Sequence, residues 1–318
     1  MSRPLRIAVC QFAPGSLDAD ANSDGQQPQR NLDRALEYVR QAAEQHANVV
    51  CFPEYFLTGI MADPKHHTLA QPPHKSQRHE HVSNATPSSI ESAATWLESF
   101  RHVAQEVVID IVVGTIVESG HEPTPSMHNV SHYIQGKTGK VLESYHKRNL
   151  WHPEKEYLQP GRESHVVFET AYGRVGLLVC WDLAWPEAFR SLLLQNVDVV
   201  YAPTCWLGSD GADIGLEHDP RCEEKFLDSL IVARAFENEC VVVLANCGGE
   251  AKDGWIGRSR VAVPFKGSVA EAKSEQEELF FADVDLGILK DAREVYGIRT
   301  DLVPKLKALG QLPDYVDE

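Results

Sequence analysis

Short runs of β-branched and apolar residues recur along the chain at 7–12, 49–52, 109–117, 166–168, 175–179, 197–202, 241–245 and 280–284. Runs of this length read as strands, several of them continuous enough to be buried on both faces. The segment 141–145 is strand-like as well. Helical spacing lies between some of these runs. Over 31–44, Leu32, Ala35, Leu36, Val39 and Ala43 share one stripe, and comparable patterns span 88–106, 186–195 and 223–238. Strands and helices therefore interleave over the whole length, which predicts an α/β or mixed α+β fold with no internal boundary, a single domain over 1–318.

One segment breaks the rhythm. Residues 63–87 are polar, carry Pro64, Pro72, Pro73 and Pro87, and hold His66, His67, His74, His79 and His81. Proline at that density predicts a long loop, placed as a solvated insertion near the mouth of a site. The histidines lack the helical pair and the cysteine partners of common zinc sites, so no metal is expected. The tail over 296–318 either packs on a partner subunit or frays.

At 318 residues with 43% apolar content, the chain is long enough for a large core. A net charge of −16 argues against an electrostatic nucleic-acid binder. No stretch of about 18 apolar residues suggests a membrane span. The first strand-like run begins at Ile7, which leaves no room for an export signal. Seven cysteines without metal-type pairing suit free thiols in a reducing compartment, so the cytoplasm is the expected location.

Candidate chemistry starts at Cys180, which ends the apolar run 175–179 and is followed at once by Trp181-Asp182-Leu183-Ala184-Trp185-Pro186-Glu187. A strand that stops, turns and enters a helix lifts a nucleophile to a sheet edge. A cysteine there is otherwise a small inert apolar residue. Glu54 stands just past the strand 49–52, and Lys147 just past 141–145, where loops at one sheet edge gather into a site. A partly desolvated carboxylate can take a thiol proton, and an ammonium can stabilise a thiolate and an oxyanion. The same two residues would otherwise make a surface ion pair worth about 0–1 kcal/mol. The Trp181 N–H, one residue past the thiol at a helix start, is a second oxyanion donor.

Four blocks in order resemble the nitrilase superfamily of carbon–nitrogen hydrolases: Phe52-Pro53-Glu54-Tyr55 with Thr58-Gly59; His146-Lys147; Glu154 with Pro160-Gly161; and Gly173 to Asp182 leading to Pro186-Glu187. The resemblance implies a four-layer α-β-β-α sandwich, a homodimer formed through helices or a higher homo-oligomer, and a Glu54–Lys147–Cys180 triad with no metal or organic cofactor. It also implies that Glu154, rather than Glu156, orients Lys147 and the substrate nitrogen. Asp182 is read as fixing the turn after Cys180. Cys205, in Pro203-Thr204-Cys205-Trp206, aligns with family positions that line the substrate pocket. Tyr55, Trp151, His152, Trp185 and Trp206 are expected to complete its walls.

The Cys-Trp-Asp sequence at Cys180 resembles amidases and carbamoylases rather than nitrilases, and Trp185-Pro186-Glu187-Ala188 is similar to N-carbamoylputrescine amidases. The expected reaction is cysteine-dependent hydrolysis of a small linear amide, ureide or carbamoyl compound through a thioester, releasing ammonia. Two alternatives stand beside it: a nitrilase, and a catalytically silent binding module.

Overall fold

Period-two alternation in β1 (Leu5–Gln11) sorts its residues into two cores. Ile7 and Val9 join one cluster, whereas Ala8 and Cys10 join another. The same split separates Val49 and Cys51 from Val50 in β2 (Val49–Cys51), and Val112 from Ile111 and Val113 in β3 (Asp110–Ser119). A sheet buried on both faces must be covered twice, and successive side chains point to opposite sides. The computed structural model describes residues 4–15, 17, 26–74, 95–120 and 126–311.

Nine further strands complete the framework: β4 (Met127–Gln135), β5 (Lys140–His146), β6 (Val167–Thr170), β7 (Gly173–Leu177), β8 (Val199–Thr204), β9 (Val241–Asn246), β10 (Arg260–Val263), β11 (Gly267–Glu271) and β12 (Glu278–Val284). They form two six-stranded mixed sheets in the orders β12-β1-β2-β3-β4-β5 and β11-β10-β9-β8-β7-β6. Each sheet has a parallel centre, β1-β2-β3 in one and β7-β8-β9 in the other, flanked by antiparallel strands. The sheets meet face to face: Tyr133 of β4 has its ring 6.2 Å from Tyr201 of β8 and 5.2 Å from Phe168 of β6.

Helices α1 (Gln27–Glu44) and α2 (Trp96–Val107) bury Leu32, Ala35, Val39, Phe100 and Val103 on the outer face of the first sheet. Helices α3 (Pro186–Leu194) and α5 (Cys222–Glu237) cover the second with Phe189, Leu192, Leu227 and Ile231. The order of layers is thus α-β-β-α, as the family resemblance implied. Helices α4 (Ala212–His218), α6 (Gly287–Tyr296) and α7 (Ile298–Ala308) complete the chain. Among the described residues, no helix is long and apolar enough to cross a membrane.

Several elements differ from the sequence reading. The helix expected over 88–106 begins at Trp96, where the Thr95 hydroxyl accepts the Glu98 N–H at 3.3 Å and caps the first turn; residues 88–94 lie outside the described residues. The segment expected to be a loop from Asp63 carries regular structure as far as Gln71. Asp63 caps a 3₁₀ helix at Pro64–Leu69, and Gln71 exchanges backbone hydrogen bonds with Val117 and Ser119 at the end of β3. His79, His81 and Pro87 lie outside the described residues. The tail is helical over Ile298–Ala308 rather than frayed, with Arg299 Nη2 donating to the carbonyls of Val197, Asn238 and Glu239. Residues 312–318 lie outside the described residues.

Candidate active site

Four strand ends from both sheets converge on one cavity of about 120 Å³. Glu54 follows β2 and Lys147 follows β5 in the first sheet, while Cys180 follows β7 and Cys205 follows β8 in the second. All four line the cavity, with Glu154 beside them on a 3₁₀ turn at Pro153–Glu156.

The polar centre is buried. Lys147, 1% exposed, donates from Nζ to Glu54 Oε1 at 2.8 Å and to Glu154 Oε2 at 2.7 Å. Glu54, equally buried, also accepts the Asn129 side-chain amide on Oε1 at 2.7 Å and the Cys205 N–H on Oε2 at 3.0 Å. Glu154 accepts the Tyr55 hydroxyl on Oε1 and the Trp151 N–H on Oε2 at 2.7 Å. Charges so far from water persist only when paired and hydrogen-bonded, and each carboxylate here meets several donors.

These contacts set the proton affinities. Burial raises the Glu54 carboxyl to about 7; the Lys147 ammonium pulls it down, Glu154 pushes it up, and hydrogen bonds from Lys147 and Cys180 pull it down. Burial alone would strip the Lys147 proton, but Glu54, Glu154 and Cys180 outweigh it and hold its pKa well above the usual lysine value. Burial, then the Glu54 charge, push the Cys180 thiol well above its ordinary value, with Lys147 acting in the opposite sense. The resting state is therefore a neutral thiol facing a carboxylate of near-neutral pKa, an arrangement suited to general-base activation on demand.

Local structure holds Cys180 in a strained position. Cys180 opens a 3₁₀ turn at Cys180–Ala184 with φ +46°, a region that non-glycine residues seldom occupy. Asp182, fully buried, braces the bend: Oδ2 accepts the Val179 N–H at 2.9 Å and the Tyr145 hydroxyl at 2.8 Å, and Oδ1 accepts the Asn149 N–H at 3.0 Å and its side-chain amide at 2.8 Å. One carboxylate thus ties the end of β7 to β5 and the Lys147 loop. Asp182→Asn replaces an acceptor with a donor in this cage and is expected to cost about 2–3 kcal/mol of stability, measured by urea denaturation. Gly161 serves the same loop: its N–H donates to the Lys147 carbonyl at 2.8 Å, and a Cβ there would meet the His146 oxygen at 2.3 Å.

The walls are aromatic. Tyr55, Trp151, Trp181 and Trp206 line the cavity, with Trp151 and Trp181 centroids 4.4 Å apart and Trp181 and Trp206 centroids 5.5 Å apart. The Trp206 indole N–H donates to Glu223 at 2.6 Å. Two expected wall residues stand elsewhere. Trp185 is 45% exposed, occupies the position that precedes the first turn of α3, and does not line the cavity. His152 is exposed and packs behind Trp151, 4.9 Å between centroids, outside the lining.

Sequence reading missed Asn129, Ile60, Pro153, Tyr157 and Asp210, all of which contact Glu54 or line the cavity. Asn129 lies on β4, whose polar residues hide the strand signal, although the turn-like Gly136-Lys137-Thr138-Gly139 before β5 marks a hairpin. Nothing local distinguishes Asp210 from a solvated loop acid. Among the described residues, no cluster of His, Cys, Asp and Glu is arranged to hold a metal ion.

A model of the carbon–nitrogen hydrolase family matches residues 6–294. The chain is 26% identical to a nitrilase of Pyrococcus abyssi, covering 91% of this chain and 93% of that one. It is also 26% identical to an N-carbamoylputrescine amidase of Arabidopsis thaliana, covering 87% and 88% respectively. Saccharomyces cerevisiae Nit3, a member of branch 10 of the nitrilase superfamily, shares the fold with a TM-score of 0.71 at 22% identity over 93% of this chain and 95% of that one. Because the family match runs through both sheets and every residue of the buried polar centre, the chain belongs to the carbon–nitrogen hydrolase family.

Proposed function

We propose that the protein hydrolyses a small linear amide or carbamoyl compound, with Cys180 as nucleophile, Glu54 as general base and acid, and Lys147 as electrostatic stabiliser. The observation that carries this reading is the Lys147 ammonium held between Glu54 and Glu154 at 2.8 and 2.7 Å on the wall of the cavity that Cys180 also lines. Glu54 takes the thiol proton as sulfur attacks the carbonyl carbon. The oxyanion forms beside Lys147 and the Trp181 N–H, which sits in a first helical turn where N–H groups lack intrahelical partners. Collapse of the tetrahedral species breaks the C–N bond, and the leaving nitrogen carries off the proton from Glu54 as ammonia. Glu54 then deprotonates a water that attacks the thioester carbon, and the proton returns to sulfur as the acid leaves. Glu154 holds Lys147 in place and offers an acceptor to the substrate N–H.

The two curated relatives, named as a nitrilase and as an N-carbamoylputrescine amidase, both fit this chemistry. The Asp182 brace, in the Cys-Trp-Asp sequence shared with amidases, favours the amide. Ammonia release from a panel of linear amides, ureides and nitriles tests it: turnover of amides or ureides supports the reading, turnover of nitriles alone replaces it with a nitrilase, and silence of an intact fold leaves a binding module.

Glu54 must be ionised to accept the thiol proton. With its carboxyl raised to about 7 by burial, activity is expected to be full above neutrality and to fall as pH drops through about 7. A kcat/KM profile whose acid limb lies near pH 4 instead would remove Glu54 as the base.

A further inference from the structure

We propose that Asp210 is a cation subsite, which selects substrates carrying an ammonium group at the end remote from the scissile amide. This rests on the hydrolase reading above and names its substrate class.

Four ionisable side chains other than cysteine and tyrosine line the cavity: Glu54, Lys147, Glu154 and Asp210. The single cation among them is already held by two carboxylates. Among the described residues, no further arginine or lysine lines the wall to receive a substrate carboxylate, and Asp210 adds a negative charge without a basic partner. Its backbone fixes it in a short turn, with Oδ2 accepting the Leu207 N–H at 2.9 Å and its own N–H donating to the Leu207 carbonyl at 3.2 Å. That turn uses one carboxylate oxygen. Among the described residues, Oδ1 accepts no hydrogen bond and no basic side chain pairs with Asp210. A carboxylate that served the turn alone would not need to face the cavity.

The surroundings suit an ammonium. Trp206 and Trp181 line the same cavity with ring centroids 5.5 Å apart, and Trp206 is pinned by the Glu223 carboxylate, which adds negative potential. Burial first, with Glu223 adding to it, raises the Asp210 carboxyl to about 6, against the hydrogen bond from Leu207 and the more remote Lys147. An incoming cation relieves that cost, whereas an anion increases it.

The test uses butanamide and pentanamide, their ω-amino derivatives and their ω-carboxylates of equal length. The ω-amino amides are expected to exceed the neutral amides at least about tenfold in kcat/KM, with the ω-carboxylates poorest. Asp210→Asn keeps an acceptor for the Leu207 N–H and should bring the amino-to-neutral ratio close to one. The same ratio should fall as pH drops below about 6, where Asp210 is neutral. Glu223 on α5, with Lys147 and Glu154, also acts on the charged compounds, but these groups are the same in the parent and in Asp210→Asn, so the change in the ratio between the two proteins reports Asp210. Calorimetric binding of the same compounds to the Cys180→Ala protein reads the subsite independently of turnover. Tighter binding of the amine without wild-type hydrolysis would keep the subsite and sink the hydrolase reading. Equal affinities, no binding of the amine, or an amine preference that survives Asp210→Asn would overturn the subsite.

Discussion

Exchanging Cys180 for alanine is expected to lower amide hydrolysis by at least about 10⁴-fold, because general-base catalysis and oxyanion stabilisation have no bond to form without the sulfur. The fold should tolerate the change. Alanine removes one buried atom at the cavity wall and leaves the Asp182 brace intact, so the expected loss is about 1 kcal/mol or less. Serine at 180 keeps the shape but offers a hydroxyl that Glu54, its carboxyl raised only to about 7, is poorly placed to ionise. Ammonia release measures the loss, and intact mass spectrometry during turnover adds the positive half: an acyl adduct on the peptide bearing Cys180 in the parent and none in the alanine protein. Unchanged turnover of Cys180→Ala would end the thioester mechanism.

The second large effect concerns Lys147→Met, which keeps the length of the side chain and removes the charge. Glu54 and Glu154 would then share a buried space with no ammonium between them. Removing one partner of a buried ion pair costs about 3–5 kcal/mol, so both stability and activity should fall, in contrast to Cys180→Ala. The sign of the pH dependence identifies the cause. Without Lys147, the Glu54 carboxyl moves further above its unfolded value, so the folded form binds a proton more tightly than the unfolded chain does. The destabilisation should therefore grow as pH rises through neutrality towards that raised pKa and shrink as pH falls towards 5. Urea denaturation at pH 5 and pH 8 reads it directly; a penalty equal at both would mean that lost packing, rather than unpaired charge, is responsible.

Much of this was legible from residue pattern, and the exceptions share a physical reason. β1, β2, β3, β8 and β9 are bounded by apolar runs because central strands lie between two packed faces. β4 is hidden in the sequence because its buried positions, on both faces, include the polar Asn129, Ser131 and His132. His132 bonds Glu118 and Ser144, each at 2.9 Å, so its side chain is satisfied by partners that composition does not reveal. α7 carries Pro304 and Gly297 precedes it, both signals that argue against a helix; Arg299, anchored on three carbonyls, supplies the tertiary contact that overrides them. Within the site, Glu54, Lys147 and Cys180 stand at recognisable strand ends. Asn129 and Asp210 act through spatial neighbours 75 and more than 60 residues away in the chain from Glu54 and Lys147, a relation that no local pattern encodes. Trp185 was misplaced by the opposite error: an aromatic residue near a nucleophile was read as a wall when its backbone role is to start α3.

Glu54 has a structural identity beside the proposed one of a base. Its N–H donates to the Thr204 carbonyl at 3.3 Å, its own carbonyl receives the Cys247 thiol at 3.2 Å, and its carboxylate joins the Cys205 N–H of one sheet to Lys147 and Asn129 of the other. The groups around the cavity are therefore divided between the two halves of the sandwich and riveted across the seam by Glu54, the proposed base. A small slip of one layer over its neighbour would pull carboxylate from thiol, so the geometry of the site is inherited from the packing of both sheets.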